Sequence, residues 1–152
     1  MRRADREIQD KSEIEKILHE ADTIRIAMVD EGKAYLVAMN YVYMNGVIYL
    51  HSAKQGRKIT ILEANPLVAF QADVGAEIYC SDDVGKCSTR YESVYGEGRA
   101  IFVGEVAEKK EALDALMVKH AGKKPDAYPE QLFERTCIIK IEVEALTGKK
   151  SK

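Results

Sequence analysis

Three cysteines, no apolar run near the length of a bilayer span and no surplus of positive charge set the outer limits of this 152-residue chain. Cys80, Cys87 and Cys137 suit a reducing compartment. The Cys80–Cys87 spacing is wider than a zinc knuckle uses, and His19, His51 and His120 lie on other segments, so no metal site is expected. No stretch is long and apolar enough to cross a membrane, and Met1-Arg2-Arg3-Ala4-Asp5 lacks the apolar core of a signal peptide. The chain therefore reads as cytoplasmic, with no membrane partner. A formal net charge of −2 argues against a general nucleic-acid binder, which needs a basic surplus or stripe. Repeats and low-complexity segments are missing too. Gly96-Glu97-Gly98 has no third glycine opening a helix, which removes a dinucleotide-binding fingerprint.

What is present is ordinary globular composition, 46% hydrophobic and 32% charged, in a length that suits one domain over residues 1–152. After a charged arm (Arg2, Arg3, Asp5, Arg6, Glu7), the Ser12-x-x-Glu15 pattern predicts a capped helix over residues 12–21 with Ile14, Ile17, Leu18 and Ala21 on one face. A strand over 23–29, a turn at Asp30-Glu31-Gly32-Lys33 and a strand over 34–44 follow. Both faces of the 34–44 strand are apolar, which predicts cover on both sides, with Asn40 as the polar exception. Asn45-Gly46 predicts a type I′ hairpin that pairs residues 41–44 with 47–50.

The next elements are a helix over 55–64 stopped at Asn65-Pro66, a strand over 67–74, and a polar loop over 75–88. A strand over 90–103 follows, in which Gly96 and Gly98 signal a bulge or a close backbone approach. Then come a helix over 108–120 buried through Ala112, Leu113, Leu116 and Met117, and a linker between Pro125 and Pro129 with a short helical turn after it. A final strand over 136–146 leads to a solvated tail. The fold expected is mainly β (α+β), a six-stranded antiparallel barrel with peripheral helices.

The stretch Ile48–Asn65 carries the chemistry. A strand end delivers His51 and Ser52, and Lys54, Arg57 and Lys58 then load a helix start with positive charge. Free backbone N–H groups, the helix dipole and an arginine fork suit a phosphate. The competing reading makes these cations the solvated face of a helix whose other face is Ile59, Ile61 and Leu62. His120, in the last turn of its helix, suits a capping role.

The segments AYLVAMNYVY, IYLHSAKQGRKITIL, NPLVAFQAD, CSTRYESVYGEGRA, EKKEALDALM and IIKIEVEALTGKK, in this order, resemble the FMN-binding split β-barrels related to pyridoxamine 5′-phosphate oxidase, in the branch of nitroimidazole-resistance proteins. The resemblance implies a homodimer with FMN at the interface. It implies that Val37, Ala38, Met39 and Asn40 line the flavin ring, and that His51, Ser52, Arg57 and Lys58 line ring and phosphate. Gln71 and Ser93 contribute near the ring or from the partner, and His51 is the residue placed to act on a small-molecule substrate. It also implies an FMN-dependent oxidoreductase acting on nitroimidazoles or other nitroaromatics. A non-catalytic flavin- or haem-binding barrel and a deazaflavin-dependent reductase are the alternatives. Ala34 and Ala38 stand where the family usually carries proline, and Ala38 keeps a backbone donor that proline lacks.

Overall fold

The computed structural model describes residues 4–83, 85 and 87–151. Arg2 and Arg3 of the charged arm, Val84 and Lys86 of the 75–88 segment, and Lys152 lie outside the described residues. The elements are β1 (Glu7–Ile8), α1 (Lys11–Glu20), β2 (Thr23–Asp30), β3 (Lys33–Met44), β4 (Val47–Ala53), α2 (Arg57–Ala64), β5 (Leu67–Tyr79), β6 (Ser88–Phe102), α3 (Val106–Ala121), α4 (Glu130–Arg135) and β7 (Thr136–Ser151). Among the described residues the strands form one antiparallel sheet in the order β1-β7-β4-β3-β2-β5-β6, and β6 also pairs with β7. That last pairing closes six strands into a ring and leaves the two-residue β1 outside it. The expected barrel is the observed one.

Short-range chemistry sets the turns. Asn45 and Gly46 both have positive φ (52° and 82°), as do Glu31 and Gly32 (48° and 80°), so both tight hairpins take the backbone that matches strand twist. α2 ends at Asn65, which is extended ahead of Pro66 (φ −144°, ψ 104°), and α3 ends on left-handed Gly122. Inside the ring, Ile24, Ile26, Tyr41, Ile48, Leu50, Phe70, Val94, Ile139 and Ile141 are all but inaccessible to solvent. α1 adds Ile14, Ile17 and Leu18 to this core and α2 adds Ile59, Ile61 and Leu62. A second, smaller core of Val42, Ala112, Leu116 and Ile138 fixes α3 to the outside of β3 and β7.

Gly96 and Gly98 do what their sequence position suggests. A Cβ at Gly96 would sit 2.2 Å from the Phe70 ring, and one at Gly98 would sit 2.3 Å from the Glu142 carbonyl oxygen. The β6–β7 register shifts between Glu97 and Gly98. Because strand faces alternate with period two, this bulge reverses the alternation beyond it. Ala145 is consequently exposed and Leu146 packs against the core, the opposite of what unbroken alternation from Ile139 and Ile141 would place there.

Other expectations change as well. Helix α1 is capped by Asp10, whose carboxylate accepts from the Ser12 backbone N–H (2.8 Å) and hydroxyl (2.8 Å), so Ser12 lies inside the first turn and is not the cap. The predicted 75–88 loop is shorter than expected, since β5 continues to Tyr79 after a register shift between Val74 and Glu77 and β6 begins at Ser88. The predicted tail is strand too. Residues 147–151 pair with Tyr95–Tyr91, and Lys149 and Gly148 pair with Glu7 and Ile8. On α3, Met117 is exposed because the helix turns that flank toward a cleft and not toward the core. Finally, β3 is covered on both sides only from Tyr41 onward. Ala34, Leu36, Ala38 and Asn40 face outward uncovered, because α3 reaches only the far half of the strand.

Candidate functional site

Tyr41 pairs with Leu50, so continuing the β3–β4 register by one residue sets Asn40 beside His51. Tyr41, Leu50 and Ser52 are buried while Asn40 and His51 are exposed, as alternation along each strand requires. Asn40 and His51 line one cleft of about 260 Å³ together with Leu116 and Met117 of α3, His120, Tyr128, Phe133 of α4 and Thr136. The walls are mostly apolar, with a few polar groups converging, the usual make-up of a small-molecule site. A larger hollow of about 770 Å³ lies on the other flank of α3, toward His19, where Lys110 and Lys124 are paired with Asp114.

The polar groups of the cleft are electrostatically tuned. Surrounding protein, then Lys58, then His120 hold the His51 imidazole below its ordinary pKa, although part of its surface is open to solvent. His51 is therefore neutral at pH 7 and can present one N–H and one lone pair. His120 Nε2 lies 3.0 Å from the Tyr41 carbonyl oxygen, so it ties α3 to β3 and does not cap its own helix's carbonyls. Tyr128 donates to Asp114 Oδ1 (3.0 Å); burial and then this bond push its hydroxyl up to about 12.

The basic turn lies beyond the end of β4. Gly56 caps α2 with φ 126° and without a side-chain bond, leaving the helix start open. Arg57 is braced. Its Nε and Nη2 donate to Asp30 Oδ2 (3.1 and 2.9 Å), and its guanidinium lies 4.4 Å from the centroid of the Tyr35 ring. Lys58 is near enough to His51 to depress its pKa. Ser52 is buried, and its Oγ has no hydrogen-bond partner among the described residues.

Gln71 and Ser93 belong to another part of the sheet. Arg25 pairs with Ala38 on one side and Gln71 on the other, and its Nη1 donates to Gln71 Oε1 (3.2 Å) and Asp73 Oδ1 (2.8 Å). Gln71 Nε2 also donates to Asp73 Oδ1 (2.9 Å), and Ser93 lies in register between Asp73 and Lys149. The structure thus brings Asn40, His51 and Lys58 together and keeps Gln71 and Ser93 apart from them, on the outer face beyond Arg25. Val37 and Met39 pack toward the core, so only their backbone is available outside, whereas Ala38 and Asn40 face outward. Sequence reasoning missed the α3–α4 wall of the cleft. The signal was the aromatic pair Tyr128 and Phe133 beside Pro129, read only as a linker and a turn.

The sequence pattern of the pyridoxamine 5′-phosphate oxidase family matches residues 10–150. This chain belongs to that family. A crystal structure of a candidate 5-nitroimidazole antibiotic resistance protein from Bacteroides thetaiotaomicron is similar at 33% identity and a TM-score of 0.84, over 94% of this chain and 85% of that one. More distant structures share the fold. A FAD-binding protein from Mesorhizobium loti is 22% identical with a TM-score of 0.73, over 97% of this chain and 98% of that one. The flavocytochrome Anf3 from Azotobacter vinelandii is 15% identical with a TM-score of 0.85, over 100% of this chain and 72% of that one. Among curated proteins, none matches the chain. Within the family's barrel, the His51 cleft and the Arg57 turn lie at opposite ends of the short segment from the end of β4 to the start of α2. No helix among the described residues is long and apolar enough to cross a membrane.

Proposed function

We propose that this chain is an FMN-dependent oxidoreductase that reduces nitroimidazoles or related nitroaromatics, working as a homodimer with the flavin at the subunit interface. The single observation that carries the reading is the buried Ser52 hydroxyl without a partner, on the strand that leads into the basic turn. An orphaned buried hydroxyl is costly unless something supplies its missing bond. A phosphate ester seated against the start of α2 would do so. Arg57, pre-oriented by Asp30 and Tyr35, and Lys58 would supply the positive charge. The residues present therefore fit a flavin phosphate, and the open half of β3 offers a flat surface where Ala38 and Asn40 face out.

The flavin supplies the hydride and electron chemistry when bound. The chain's own groups bind and orient. His51, neutral at pH 7, can donate a hydrogen bond to substrate or accept one from it, and the Leu116, Met117 and Phe133 wall excludes water from a small planar ring. The homodimer is supported by Val29, Leu36 and Leu67, apolar side chains that are 51%, 61% and 50% exposed in the single chain. The relatives whose names include a flavin support a flavin in general, and three of these names specify FAD.

Purified protein incubated with FMN and then gel-filtered should stay yellow, quench flavin fluorescence, elute at twice the monomer mass and release FMN, not FAD, on denaturation. It should reduce a nitroimidazole with a defined electron donor, and His51→Ala should abolish turnover while flavin is retained. Protein that stays colourless in excess FMN and excess FAD would defeat the proposal.

A further inference from the structure

The β5–β6 hairpin extends past its bulge and ends in two cysteines that the flavin reading does not use. Tyr79 of β5 pairs with Ser88 of β6, so one further step of the same register sets Cys80 opposite Cys87. Residues facing each other in an antiparallel ladder have Cα atoms about 4.5–5.5 Å apart, within the range of about 4.4–6.8 Å that a disulfide spans. Both thiols are exposed and free. Among the described residues no group of three or more His, Cys, Asp or Glu side chains is placed to hold a metal.

We infer that Cys80 and Cys87 form a reversible intrachain disulfide at the tip of this hairpin, made by hydroperoxides and undone by dithiols. Cys80 is held above its ordinary pKa mainly by its hydrogen bond to Cys87, which also links the two sulfurs directly. One thiol of the pair, as thiolate, attacks one peroxide oxygen, breaking the O–O bond and leaving sulfenic acid and water once a proton is taken up. The other sulfur then attacks the oxidised sulfur, and its proton leaves with the hydroxyl as a second water. In sum, two thiols and one hydrogen peroxide give one disulfide and two waters; two electrons pass from sulfur to oxygen. A dithiol reverses the bond by exchange. Cys137 provides the internal contrast. Its thiol is half-buried in β7 and held above its ordinary pKa by burial.

The test uses the folded full chain with stoichiometric hydrogen peroxide, followed by alkylation and peptide mapping. Alkylatable thiols should fall from three to one, with Cys137 still labelled, and a single Cys80–Cys87 link should appear in monomeric chains on a non-reducing gel. Dithiothreitol should restore all three. In Cys80→Ser, a sulfenic acid should persist on Cys87 and be trapped by dimedone. The inference is overturned if the links run between chains, if Cys137 reacts as fast, if both cysteines pass to sulfinic acid without linking, or if all three thiols stay alkylatable. These readouts do not depend on flavin, so they stand apart from the fate of the oxidoreductase proposal.

Discussion

Lys119 of α3 stands with its Nζ 3.9 Å from the centroid of the Tyr41 ring, and the two residues jointly close the end of α1. The Tyr41 hydroxyl donates to the Leu18 carbonyl (2.6 Å), and Lys119 Nζ donates to the Ala21 carbonyl (2.7 Å). Burial holds the Tyr41 hydroxyl far above its ordinary pKa and holds the Lys119 ammonium below its own. Strand β3 and helices α1 and α3 meet at this point.

Removing the tyrosine hydroxyl leaves the ring in place and takes away the buried donor at the helix end. Tyr41→Phe should cost about 1–2 kcal/mol in urea unfolding. Lys119→Met should cost a similar amount, through loss of a charge-assisted bond and a ring contact. A double variant whose loss falls short of the sum of the singles would show that the two act as one unit.

Gly96 has no room for a side chain, since a Cβ would lie 2.2 and 2.5 Å from Phe70 ring atoms and 2.8 Å from the Ala145 carbonyl oxygen. Gly96→Ala should destabilise by about 1–3 kcal/mol, as overpacking does. Phe70→Leu added to it should recover part of that loss, because the ring is the nearest obstruction. Thermal unfolding of the three variants measures this.

Ser52 separates stability from binding. Ser52→Ala removes a buried hydroxyl that has no partner, so the flavin-free protein should melt at the same temperature or higher. If that hydroxyl meets a phosphate, the same change should weaken FMN binding roughly tenfold, the equivalent of about 1.4 kcal/mol. Fluorescence titration alongside a melting curve gives both numbers from one preparation.

His51 has a signature in pH. Its folded pKa lies below its unfolded value near ~6.5, so the unfolded chain takes up its proton first as pH falls. Its contribution to stability is accordingly full above about pH 6.5 and is lost as pH drops through the interval between the two pKa values. An NMR titration should find the imidazole below its usual midpoint. Lys58→Met should move it upward, since one of the charges opposing protonation is gone.

Local signals carried most of the fold. Asn45-Gly46 set the hairpin that pairs β3 with β4, Asn65-Pro66 ended α2, Gly122 ended α3, and Gly96 with Gly98 foretold the tight β6–β7 crossing. What stayed hidden depends on partners far along the chain. Thr147-Gly148-Lys149-Lys150-Ser151 is polar and looks like a tail, and only the proximity of β6 and β1 makes it a strand. The candidate site divides the same way. The cations of the basic turn and the adjacency of Asn40 to His51 were legible from spacing, but the brace of Arg57 on Asp30 and Tyr35 and the aromatic wall around His51 arise from tertiary packing.

The strand that seals the ring, β7, bonds to β1, β4 and β6, and every one of those precedes it in synthesis. A ribosome must release residues 136–151 before the cylinder can shut, so a nascent chain waits with open strand edges on β4 and β6. Rapid folding is thereby traded for completeness, and closure depends on contacts of long sequence separation. Chaperone dependence and aggregation during expression should follow the availability of this one segment, and a peptide of its sequence supplied in trans should compete for the seam.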